Sequence, residues 1–187
     1  MIARLTLLAV LLLSAPFCGA VSAQAIGPRF DAIPDGFAVV YRMTGGAVTS
    51  AVHEGWTDDG YRVTLHRGGK GAAGALLDTR FYDRNGNLVR YETPVETWTY
   101  APHDCSRVIG RCRYAATNET SGATFHWTRD TRRVGGREYE FSNNLDGERR
   151  ASGGFRLGEN RLTIAFNKSE IGDAESRGML LRFIVPR

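Results

Sequence analysis

The sequence predicts an all-β protein: a single antiparallel domain of about ten strands, closed into a barrel or curled into an open sheet. Three observations carry this. From Phe37 onward, short runs of β-branched and aromatic residues are broken by turn residues at intervals of about 8–12 positions. Asn85-Gly86 stands between two alternating apolar runs, the strongest local signal for a hairpin. The pair Cys105 and Cys112 divides two long stretches of strand-like sequence, as a staple between two β-meanders would. Closure or curling is expected because so many strands do not stay flat, and free edges invite aggregation.

The chain opens with Arg4, an apolar run from Leu5 to Leu13, and Val21-Ser22-Ala23 with short side chains. A charged start, a short apolar core and a small-residue exit make a secretory signal over residues 1–23, with cleavage after Ala23 or alternatively Ala25. The run is too short for a permanent bilayer-spanning helix, which needs about 20 residues. Cys18 follows Phe17, where a lipoprotein signal requires a small residue, so it is read as lost with the signal. Residues 24–187 then form one domain, with no further apolar segment long enough to span a membrane, in a periplasmic or secreted location. Loss of Arg4 leaves 23 Lys and Arg against 20 Asp and Glu. So mild a charge gives no ground for a nucleic-acid partner. Residues 107–161 are the basic portion, and a basic face there could meet anionic envelope surfaces.

The elements follow in order. Residues 24–36, with two prolines and two glycines, read as an irregular lead-in. Strands are expected over 37–44, 47–56 and 61–67; in the last, Tyr61, Val63 and Leu65 alternate with Arg62, Thr64 and His66. Four glycines between Gly68 and Gly74 suggest a mobile loop, a possible lid over a cavity. Strands over 76–82 and 88–92 flank the Asn-Gly turn, and Pro94 ends the second because it cannot donate to a ladder. Further strands are expected over 96–101, 113–120, 123–131, 137–142, 149–157 and 161–166. Residues 168–176 have the only helical claim, weakened by Gly172. Met179–Val185 is so apolar that it should be central or well covered.

In an oxidising compartment an isolated pair of thiols reads as a disulfide, here Cys105 with Cys112. Closing a loop of that size stabilises the fold by roughly 2.5 kcal/mol on chain-entropy grounds. Six intervening residues are too many for a redox Cys-x-x-Cys pair. The four histidines, His53, His66, His103 and His126, show no metal-ligand spacing, and His53-Glu54 lacks the second His of a metalloprotease motif. No Gly-x-Ser-x-Gly or Ser-x-x-Lys occurs, and the glycine loop around Lys70 lacks the ending of a phosphate-binding loop. No cofactor or metal is therefore expected, and the reading leans away from an enzyme. Candidate ligand or loop residues are Lys70, His103, His126 and Trp127.

Tyr82-Asp83-Arg84-Asn85-Gly86-Asn87-Leu88 resembles one copy of the tyrosine-aspartate repeat of large secreted shell proteins. The likeness covers seven residues and implies hairpin chemistry. A secreted β-domain of this size is also similar in outline to lipocalin-type barrels and to the open half-barrel of periplasmic lipoprotein carriers. The resulting expectation is non-catalytic binding of a lipid-like ligand or another envelope component. A structural or interaction domain without a cavity is the alternative, followed by a hydrolase assembled from scattered histidines and acids.

Overall fold

The computed structural model describes residues 25–171 and 175–186; the expected signal segment, with Cys18, lies outside the described residues. Twelve antiparallel strands form a closed barrel. They are β1 (Phe37–Met43), β2 (Val48–Thr57), β3 (Gly60–Arg67), β4 (Leu76–Tyr82), β5 (Leu88–Glu92), β6 (Thr97–Tyr100), β7 (Gly110–Asn118), β8 (Thr124–Gly135), β9 (Glu138–Leu145), β10 (Glu148–Leu157), β11 (Thr163–Glu170) and β12 (Ser176–Ile184). Each strand pairs with its sequence neighbour, and β12 closes on β1 from Ala38↔Ile184 to Met43↔Gly178. Closure satisfies the edges that an open sheet of this length would leave bare.

The cysteine loop does not hinge two halves. β6 and β7 pair directly, Trp98↔Asn118 to Tyr100↔Ala116, so the wall is one continuous meander. The disulfide, with Cα atoms 5.3 Å apart, ties Cys105 of the β6–β7 connection to Cys112 at the start of β7, at the end of the barrel where β1 begins. The expected mobile loop is also otherwise. Residues 68–74 fold back on the outer wall, where Ser50 Oγ donates to Gly68 O at 2.7 Å and Arg182 Nη2 donates to Gly69 O at 2.7 Å. Glycines permit that close approach, and Gly69 lies against the outward-facing Val48 and the fully buried Val40. The expected helix is absent from the described part of its range: Lys168–Glu170 continue β11, and Ser176 opens β12.

The last strand is not well covered. Met179, Leu181, Phe183 and Val185 are all exposed. β11 pairs with β12 only from Ala165↔Met179 to Lys168↔Ser176, which leaves Leu180–Ile184 laddered on the β1 side alone. Tyr41 partly fills the gap, its hydroxyl donating to Thr163 O at 2.6 Å. An apolar run reads as two-sided burial, but this one is covered on a single flank.

The irregular lead-in proves to be a plug. Residues 25–36 cross the barrel end that carries the disulfide. Ile26 N and Gly27 N donate to Ser106 O, Arg29 N donates to Asn160 O, and Gly36 N donates to His53 O. Phe30 enters the barrel, stacking on Tyr61 at 4.1 Å and meeting Trp56 edge-on at 6.3 Å. Phe30 and Ile33 join Val39, Ala51, Tyr61, Val63 and Leu162 in the main buried cluster. The Asn-Gly turn anchors the same end. Asp83 accepts from Asn85 N, Asn87 N and Asn87 Nδ2, while Asn87, 1% exposed, accepts from Ser106 N through Oδ1.

Candidate functional site

Strand alternation and ladder register fix which side chains face the lumen. The buried Val39, Ala51 and Val63 belong to one face, and following cross-strand partners around the barrel puts Tyr41, Arg80, Tyr91, Trp98, Tyr100, Tyr114, Trp127, Arg129, Phe141, Phe155 and Phe166 on that face too. The other face carries Arg62, Glu92, Arg111, Asp130, Arg132 and Glu140, so aromatics are concentrated inside and charges outside.

A twelve-stranded barrel is wider than the eight-stranded kind that side chains just fill. Its interior is aromatic but not fully dense. The inward tyrosines and tryptophans beyond the plug are only half-buried, and 36% of the Arg80 side chain remains accessible. Arg80 nonetheless lies deep, beside Tyr41 and Tyr82, whose hydroxyls burial pushes well above their ordinary value against the opposing Arg80 charge. A side chain both deep and accessible borders lumenal space.

Arg80 and Arg129 both face this lumen, and they differ. Arg80 forms a two-pronged pair with Asp78, Nε to Oδ1 at 2.9 Å and Nη2 to Oδ2 at 3.0 Å, beside the Tyr91 ring. Arg129 lies 4.6 Å over the Phe141 ring and donates through Nε to Thr131 Oγ1 at 3.3 Å. Among the described residues no carboxylate comes within ion-pair distance of Arg129; the adjacent Asp130 faces outward and pairs with Arg111. Burial pulls the Arg129 guanidinium below its ordinary value, opposed by Tyr114. Its ladder partner Asn143 has a buried Oδ1 without a hydrogen-bond partner among the described residues. Around them, Tyr114 stacks on Trp127 at 6.3 Å, Tyr100 lies 6.1 Å from Tyr114, and His103 lies 5.4 Å from Tyr114.

Of the residues singled out in the sequence, Trp127 faces the lumen and His103 borders it. Lys70 is exposed in the loop on the outer wall, and His126 points outward from β8. Both nitrogens of His103 are engaged: Nδ1 accepts from Cys105 N at 3.2 Å, so Nε2 carries the proton toward Leu88 O at 3.2 Å. A ring nitrogen of His103 and the two cysteine sulfurs lie within 4.8 Å of one another. With the sulfurs joined in a disulfide they are not thiolates, and metal ligation there would require reduction. Arg80, Arg129 and Asn143 were not singled out, because Arg is spread throughout the sequence. Extending the alternation from Trp127 to Arg129 was the one available signal.

The outer wall has its own feature, a concavity of about 1120 Å³ between β8 and β12 whose outward side chains include Arg42, Arg132, Glu140, Arg149, Arg156 and Arg177. No protein-family model matches this chain, and no curated protein or solved structure matches it either.

Proposed function

We propose that this is a non-catalytic, periplasmic or secreted β-barrel that binds a lipid-like component of the cell envelope in its lumen. The observation that carries the proposal is the aromatic inward face, deep in the barrel yet still partly accessible. Tyr and Trp offer large apolar surfaces with a polar edge, suited to holding an acyl chain without closing around it. The charged outward faces support a barrel bathed in water, since a barrel embedded in lipid carries an apolar band outside. Native mass spectrometry of protein taken from the periplasm is expected to show a co-purified lipid. Protein that emerges empty, and whose Trp98 and Trp127 fluorescence ignores added lipid, would end the proposal.

A second proposal is docking of an anionic envelope surface in the outer concavity, favoured by Arg42, Arg149 and Arg156, which have no ion-pair partner among the described residues. It predicts association with envelope fractions that weakens between 50 and 300 mM salt, values chosen around a Debye length of about 10 Å at 0.1 M. Salt-insensitive association would reject it.

A further inference from the structure

We infer that the lumen is built for an amphiphile with one anionic head, a carboxylate or a phosphate monoester, received by Arg129 and Asn143 with its apolar tail along the inward aromatics. This rests on the lumen-binding reading and specifies the ligand class. A guanidinium inside a barrel without a carboxylate partner is costly, and proteins normally pair or neutralise such a charge. Arg80 shows the ordinary solution in the same lumen, a two-pronged pair with Asp78. Arg129 has only the Thr131 hydroxyl and the Phe141 face, so its other N–H groups lack an anionic acceptor within the described chain.

The partnerless amide oxygen of Asn143 marks the same spot, because Asn143 is the ladder partner of Arg129. Its amide can turn to present N–H beside the guanidinium, giving an anion donors from two strands. A guanidinium matches the two-oxygen edge of either head group. The tail has one direction to run. Residues 25–36 and the disulfide loop cross one end of the barrel. At the other end the described connections are short turns, and the one long loop, 68–75, lies on the outer wall. From Arg129 toward that end the inward face offers Trp127, Trp98 and Phe125, the last two 5.7 Å apart.

The test is titration calorimetry of the lipid-stripped protein with three probes of one tail length: dodecanoate, dodecyl phosphate and dodecanol. At least one anion is expected to bind ten-fold or more tighter than dodecanol, and which one does so identifies the head group. Arg129→Met should weaken that anion by about 10- to 100-fold, the usual worth of hydrogen bonds to a charged group, and leave dodecanol unchanged. Arg113→Met, an exposed outward position, controls for net charge. Asn143→Asp places a carboxylate against Arg129, so it should abolish the preference for the anion without loss of stability, a second route should Arg129→Met misfold. Equal binding of all three probes, insensitive to Arg129→Met and Asn143→Asp, overturns the anchor and leaves lumen binding standing. Failure to bind any probe, dodecanol included, removes both.

Discussion

His53 shows how one buried side chain can set the acid limit of the fold. It lies among Phe30, Phe37 and Tyr61, its Nδ1 has no partner among the described residues, and burial lowers its pKa to about 4. The unfolded chain, with an ordinary value near 6.5, therefore binds the proton more readily than the folded one. The contribution of neutral His53 is complete above about pH 6.5 and is lost as pH falls from there to about 4. Over that interval the loss is on the order of 3 kcal/mol. Denaturant titrations at pH 7.5 and 4.5 should show a drop that His53→Phe reduces by about that amount; an equal drop in the variant would place the acid sensitivity elsewhere. Asn87 makes a second residue-scale case. It holds Asp83 on one side and Ser106 on the other, so Asn87→Ala strands two half-buried partners and should cost about 1–2 kcal/mol in urea unfolding. At this scale the sequence was partly legible. Trp127 and His103 were singled out and do border the lumen. Arg129 was not, because an inward and an outward arginine look identical until register separates them.

Among the elements, the plug was the least legible. Residues 25–36 have no periodicity, and Pro28, Pro34 and Gly36 announce only a departure from regular structure. What makes them a structural element is hydrogen bonding to Ser106, Asn160 and His53, far away in sequence. Phe30 is the anchor, and Phe30→Ala should cost roughly 3–5 kcal/mol, as for other buried rings. It should also leave Trp56, which meets Phe30 edge-on and donates to Asp31 Oδ1 at 3.1 Å, more open to acrylamide quenching. Unchanged stability would mean that the plug merely rests on the barrel. The glycine loop failed as a lid for a related reason: glycine content measures permitted conformations, and contacts with Ser50 and Arg182 selected one of them. The disulfide was the reverse case, legible from the isolated pair and its short spacing, because Cys105 and Cys112 are only seven residues apart.

For the whole molecule the decisive event is closure, the pairing of the first strand with the last. β1 and β12 are more than a hundred residues apart, so this contact carries a large loop-closure cost and is expected to form late and slowly. A chain ending at Glu170 would leave β1 and β11 as long bare edges, and it should aggregate in size-exclusion chromatography while the full chain elutes as a discrete species. A stable, discrete truncated product would show that closure is dispensable. The close approach of Gly153 to the β11 backbone, where an added Cβ would meet Asn167 O at 2.0 Å, belongs to the same wall. Neither feature can be read locally.

By itself the sequence determined the all-β class, the strand runs, the Asn-Gly hairpin and the disulfide. These follow from alternation, turn chemistry and short-range spacing, which act over a few residues. Only the tertiary structure decided that the strands number twelve and close, that the lead-in plugs one end, and that Arg129 faces the aromatic lumen without a counter-charge among the described residues. Those depend on ladder register carried around the barrel, where a slip of one residue would turn every inward side chain outward. The His103–Cys105–Cys112 loop, prominent in the sequence as a possible site, is the staple of the plugged end. The groups best placed to meet a ligand are an arginine and an asparagine that share a rung between β8 and β9.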